Sequence, residues 1–333
     1  LSALQAVLPE NTLALEFYQL EKELVLVAVT RNSALVQRTS LSLKEADDNA
    51  VCVASMVRQL HATPHASPAQ NKLLYWTMGK LHERLFSPLR ELLAGHANLV
   101  LCPHRATHRI PFALLQEAGG KLLGETHCLS YTPSLPALLR ERPAPAHGAV
   151  TALVLANCSG ELLHAGNEGR AVAELFAGSH LFTGEDATLA QVQRHIAAAD
   201  IIHIACHNRF DPHGIVHTHI PLADAPLTND AVFRCSLSRA PLVVLSACDS
   251  GLAQERKSDE LDSFAHAFIL AGARAVVVTL WPIDDAGTAP LMLEFYRAWL
   301  DCRDASCALA TMQRAARARG VSPHLFGAFK VMR

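Results

Sequence analysis

Apolar and polar residues change rhythm along this chain. Between residues 12 and 40 they alternate in three runs: Leu13–Tyr18, Leu24–Val29 and Ala34–Thr39. Successive side chains of a strand point to opposite faces, so the runs predict a three-stranded meander at one edge of a sheet. Ser42 is the expected cap of a helix reaching about Leu60, with Val51, Val53, Met56 and Val57 on its inner side. A polar loop follows, and 73–93 reads as a long amphipathic helix kinked at Pro88. The short apolar run 97–102 predicts a strand. A Pro-rich connector at 141–148 sets the expected domain boundary, giving domains 1–145 and 146–333.

Beyond the connector, strand-like and helix-like segments alternate. Strands are expected at 149–156, 181–183, 201–207, 241–248, 275–281 and 325–332, with a loop of about thirty residues between the third and fourth. Helices are expected at 168–176, 188–199, 260–271 with Gly272 as its C-cap, 285–301 and 305–319. Such alternation predicts an α/β fold: a mostly parallel sheet flanked by helices. Two runs stand out, Ile201–His207 and Pro241–Cys248. Both are short, nearly uncharged and rich in branched residues, as central strands covered on both faces require. His207 leaves the end of the first and Cys248 the end of the second. Ligand sites of open α/β sheets lie outside the carboxyl ends of the strands.

Composition narrows the classes. Half of the 333 residues are apolar and 18% are charged, which describes a well-packed globular protein. A formal net charge of -2 argues against a general nucleic-acid-binding surface. No apolar run approaches the ~20 residues a spanning helix needs, so no membrane partner is expected. The nine cysteines are dispersed, without a CxxC pair, and predict reduced thiols in a cytoplasmic protein, with Cys206 pointing into the core. A first residue that is Leu1 rather than Met suggests a piece of a longer polypeptide.

His207 and Cys248 have the residue types of a nucleophile with its base: an imidazole takes the thiol proton and the thiolate attacks a carbonyl. Backbone N–H groups in the tight turn around Cys248 are the expected oxyanion donors. His203 shares a strand face with position 207, and a metal pair could draw on His213, His217 or His219. No carboxylate or cysteine at a recognisable ligand spacing completes that set, so no metal or cofactor is expected. Asp249, Asp284 and Asp285 are the acidic candidates for a substrate pocket, with Trp281 as a wall and Ser246 on the strand face two residues before the nucleophile. Asp284 or Asp285 serves equally as an N-cap of the following helix. Glu168 is a further acidic candidate, also readable as a first-turn residue that favours the helix dipole. The charged stretch 254–260 reads as a surface loop after the nucleophile.

Several motifs in order resemble the CHAT-domain group of caspase-like cysteine peptidases, related to separase. They are DIIHIACHNRFDP (200–212), PLADAPLT (221–228), PLVVLSACDSG (241–251), the segment 259–285 and HLFGAFKV (324–331), with weaker matches at 99–115, 129–135 and 166–176. The resemblance implies a caspase-like catalytic half preceded by a smaller non-catalytic pseudo-caspase-like α/β half. It implies His207 as general base or thiolate partner, Cys248 as nucleophile, and peptide hydrolysis through a thioester. It further implies a protein substrate, an upstream TPR-type region or other activator as partner, and a bacterial signalling or defence setting. The family usually places Gly directly after the catalytic His, where its N–H helps bind the oxyanion; here Asn208 stands there. Asn is the non-glycine residue that best tolerates a left-handed backbone, so the turn and its N–H can persist. The same departure keeps a second expectation open, a catalytically degenerate CHAT module that serves as an interaction scaffold.

Overall fold

The computed structural model describes residues 1–20, 23–62, 68–140, 149–158, 160, 163–206, 219–246, 263–281, 283 and 285–333. Two compact units emerge. The first takes Leu1–Arg140 together with Ser306–Lys330. The second takes the described residues of 149–246 and 263–305, with Val331–Arg333. Expected domains of 1–145 and 146–333 run consecutively, whereas in the packing Ser306–Lys330 returns to the N-terminal unit.

The first unit opens with α1 (Ser2–Val7), β1 (Thr12–Leu20), β2 (Glu23–Val29) and β3 (Ala34–Ser42). Next come α2 (Leu43–Ala62), α3 (Pro68–Phe86), α4 (Arg90–Ala94), β4 (Asn98–Cys102), α5 (Leu123–Thr126) and β5 (Cys128–Tyr131). The meander is present: β1 pairs antiparallel with β2, and β2 with β3. On its other side β1 runs parallel to β4, and β4 parallel to β5. Ser42 caps α2 as expected: Glu45 N–H donates to Ser42 Oγ at 3.3 Å, and Ser42 N–H donates to Glu45 Oε2 at 2.9 Å. Arg84 grips both oxygens of Glu45 and, with the Ser42 bonds, holds that carboxyl down to about 2. Val53 and Val57 are buried, but Val51 is exposed, because 51 falls outside the 3.6-residue stripe that 53, 57 and 60 share. Pro88 ends α3 in a short 3-10 turn at Ser87–Leu89 before α4 resumes. The core of this unit gathers Phe17, Phe86, Phe112 and Tyr131 in edge and tilted contacts. Burial raises the Tyr131 hydroxyl well above its usual range.

The second unit runs β6 (Thr151–Ala156), α6 (Leu163–Glu174), β7 (Gly178–Thr183), α7 (Leu189–His195) and β8 (Ile201–Ala205). The chain continues with β9 (His219–Ile220), β10 (Leu227–Thr228), α8 (Asn229–Phe233), β11 (Leu242–Leu245), α9 (Ser263–Ala271), β12 (Ala275–Thr279) and α10 (Asp285–Cys302). Its five core strands lie in the order β12-β11-β8-β6-β7. Every neighbouring pair among them is parallel. β6, β8, β11 and β12 are almost wholly buried, as strands covered on both faces require, whereas β7 at the edge is only partly covered. Asp200 fastens their amino-terminal ends. Its carboxylate accepts the Thr151 N–H at 2.9 Å and the Arg239 guanidinium at 2.8 and 2.9 Å. Gly272 ends α9 with φ +117°, a left-handed turn suited to glycine.

Last come α11 (Ala305–Ala318), α12 (Pro323–Phe326) and β13 (Phe329–Met332). The single strand expected at 325–332 is thus a helical turn followed by a shorter strand. Pro323 presets the first helical position, and at Gly327 a Cβ would come within 2.6 Å of Leu114. Among the described residues no helix is long and apolar enough to cross a membrane.

Candidate functional site

β8 and β11 are hydrogen-bonded neighbours, with Val244 opposite His203 and Leu245 opposite Ile204. Ser246 N–H extends the ladder to Ile204 O at 2.9 Å. The carboxyl ends of both strands therefore lie side by side, and β6, β7 and β12 end at the same edge. His207, Asn208, Cys248, Asp249 and Asp284 lie outside the described residues. Asp285 is the first residue of α10, and its side chain is also outside the description. Of the expected pocket residues, Ser246 and Trp281 are placed. Ser246 follows β11 directly, and its buried Oγ has no hydrogen-bond partner among the described residues. Trp281 is half-buried, two residues beyond β12 at that same edge.

β8 turns Ile201, His203 and Ala205 to one face. There α6 and α10 supply partners for a wholly buried imidazole. His203 Nδ1 lies 3.0 Å from the Tyr296 hydroxyl. Nε2 lies 3.1 Å from Glu168 Oε1. That second contact is at ion-pair distance, but without hydrogen-bond alignment. The Tyr296 hydroxyl is pushed well above its usual range, first by burial and then by the Glu168 charge. Both ring nitrogens thus face protein groups in the core, while His207, His213 and His217 lie outside the described residues. Among the described residues no cluster of three or more His, Cys, Asp or Glu could hold a metal ion.

Two expectations are corrected here. Glu168 is not in the first turn of its helix, because α6 begins five residues earlier at Leu163. It is 1% exposed and faces His203, which replaces the dipole reading. The thiols are not all reduced either: Cys158 and Cys206 form a disulfide with Cα atoms 5.5 Å apart. Cys206 is buried as expected, yet its sulfur is bonded. The pairing was readable in principle. Each cysteine stands within two residues of a strand end, on strands that the topology makes neighbours. Tyr296 carried no signal beyond its place in an apolar helix.

The PLADAPLT segment braces this half of the sheet. Asp224 accepts the Leu189 N–H at 2.6 Å at the start of α7, and these backbone bonds lower its carboxyl from the usual range. Ala223 N–H donates to Ala187 O at 2.9 Å. Thr228 caps α8 by accepting the Ala231 N–H.

Comparison with solved structures defines the class first. The yeast (Saccharomyces cerevisiae) separase of a separase–securin complex superposes over 99% of this chain with a TM-score of 0.71, at 10% identity. A second structure of that complex gives 0.64 at 12% identity. The fold is therefore that of the caspase-like, separase-type α/β proteins, with a mostly parallel sheet flanked by helices. Residues 77–327 match the CHAT domain, and the chain belongs to the CHAT domain family. A curated relative, human (Homo sapiens) tetratricopeptide repeat protein 28, is 25% identical over 286 residues. The chain spans 11% of that relative's length and 30% of the separase chain.

Proposed function

We propose that this chain is a caspase-like cysteine endopeptidase in which Cys248 attacks and His207 handles the proton. The observation that carries the reading is the register of β8 and β11. Their carboxyl ends are adjacent, and residues 207 and 248 follow those ends by two and three positions. Neighbouring strand ends supply a nucleophile and its base to one crevice from rigid elements. A free thiol with pKa near about 8.5 is mostly protonated at neutral pH, and an adjacent imidazole raises the thiolate fraction. The thiolate adds to the scissile carbonyl. The oxyanion is met by backbone N–H groups at Cys248 and Asn208. The imidazolium then protonates the leaving amine, and water hydrolyses the thioester. Ser246 and Trp281, at the same edge, line the substrate crevice, with Asp249, Asp284 and Asp285 as the acidic groups selecting the residue before the cut. The substrate is a protein, the setting a regulated bacterial signalling or defence pathway in the cytoplasm, and the activator a TPR-type region or another partner. The family match and the separase-like fold support the peptidase reading, and the relative's printed name supports the TPR-type partner.

Asn208 favours one second reading, a CHAT module that binds partners without cleaving them. A positional peptide library separates the two. The proposal expects cleavage by the wild-type chain, loss in both Cys248→Ala and His207→Ala, and indifference to a chelator. Absence of cleavage with candidate activators supplied selects the scaffold.

A further inference from the structure

The Cys158–Cys206 bond lies at the crevice end of the sheet, where the catalytic reading places its base. Cys206 directly precedes His207 in the chain, and Cys158 is two residues past the end of β6. The β6–β8 ladder runs in register up to Ala156 and Ala205, and Asn157 N–H reaches Ala205 O at 2.9 Å. Against β11 the last pairing among the described residues is that of Leu245 with Ile204, extended by Ser246 N–H to Ile204 O. The disulfide is a covalent link between the ends of β6 and β8, at the residue directly before His207. Its side chain leaves the strand face opposite Glu168, His203 and Tyr296.

The other thiols set the chemistry. Cys52 and Cys302 are exposed and not disulfide-bonded. In a reducing compartment a disulfide is usually transient, catalytic or redox-sensing. The two sulfurs are also unequal. Cys206 is fully buried, whereas Cys158 is 7% exposed beside the turn at Gly160. An incoming thiolate reaches Cys158 first, and Cys206 is the leaving sulfur.

We infer that Cys158 and Cys206 form a thiol–disulfide exchange site, oxidised by peroxides and reduced by dithiols, that sets how firmly the end of β8 is held before His207. Oxidation takes two electrons and two protons from the thiol pair, and the peroxide receives them as its O–O bond breaks to give water. In reduction a dithiol adds to Cys158 as a mixed disulfide. Its second thiol then closes the reductant's own disulfide and returns two protein thiols. The consequence for catalysis rests on the proposed peptidase reading: the oxidised chain holds the base in place and is the more active form.

The test uses the wild-type 333-residue chain, equilibrated across a series of glutathione redox buffers, acid-quenched and differentially alkylated. Mass spectrometry should show Cys158 and Cys206 passing together from disulfide to alkylated thiols, while Cys52 is alkylated throughout. Hydrogen exchange on the same samples should show protection of residues 201–206 falling about tenfold or more on reduction. Peptide cleavage, measured where Cys248 is reduced in both samples, should drop between about tenfold and a hundredfold in kcat, the range for a misplaced catalytic group. Cys158→Ala should sit at the reduced value in every buffer. Both thiols alkylated even in the most oxidising buffer overturns the inference, and so does a disulfide that changes neither exchange nor kcat. A redox-dependent change in exchange with no cleavage in any sample supports the exchange site and overturns the peptidase reading instead.

Discussion

At the scale of single residues, the sequence separated chemistry from packing unevenly. An apolar run ending in His207 beside one followed by Cys248 is a local pattern, legible without a structure. The roles of His203 and Glu168 were not, since each depends on what crosses the sheet from a distant helix. His203 reads as a metal candidate on a strand, but its two nitrogens face Tyr296 of α10 and Glu168 of α6. Tyr296 and Glu168 share one buried imidazole, so their energies should not add. Tyr296→Phe leaves Nδ1 without its hydroxyl, a loss of about 1–3 kcal/mol for an unpaired buried group. Glu168→Gln removes the charge and keeps the shape. Urea unfolding of the two single variants and the double variant should give a coupling of about 0.5–3 kcal/mol. Additivity within about 0.5 kcal/mol would show that the three do not act as one network.

Elements were more legible where their signals are local. The meander, the capped α2, the break at Pro88 and the core strands β6, β7, β8, β11 and β12 follow from periodicity, caps and proline, whereas β9, β10 and α8 fall where a loop is expected. The failures come from tertiary contact. Periodicity starts the helix before β7 at Glu168, although α6 begins at Leu163. The run 325–332 is apolar enough for one strand, yet close approach to Leu114 and the bias of Pro323 divide it. Gly169 shows how such contact overrides propensity. It sits within α6, where Ala would be the better helix former by up to about 1 kcal/mol. A Cβ there would lie 2.3 Å from Ala156 Cβ at the end of β6, too close for both to stay in place. Overpacking of this kind costs about 1–3 kcal/mol, so the contact should win. Gly169→Ala is expected to lower the urea midpoint, and a raised midpoint would mean that α6 does not press on β6 this closely.

Across the whole molecule, sequence order and spatial order part company at the C-terminus. A connector rich in proline suggests two consecutive domains, because local composition marks a linker but does not say where a later segment returns. Ser306–Lys330 packs with the first unit through α11. Gln313, 4% exposed, donates to Phe326 O at 3.0 Å. Arg314 donates to Glu125 O at 3.0 Å, Arg317 pairs with the Glu125 carboxylate, and Arg317 also donates to Gly120 O at 2.9 Å. The Arg317 guanidinium lies 5.4 Å over the Tyr75 ring of α3. Residues nearly two hundred positions apart in the chain thus close one core, which no window of sequence displays. Cooperative units open together in native-state hydrogen exchange. Amides of α11 should therefore share an opening free energy with those of β4 and β5. Gln313→Ala leaves the Phe326 carbonyl without that donor and should lower this shared value by about 1–3 kcal/mol. Opening of α11 in step with β6 and β8 would assign the segment to the second unit. A Gln313→Ala effect confined to α11 would show that the helix merely lies on the first unit and is not part of its core.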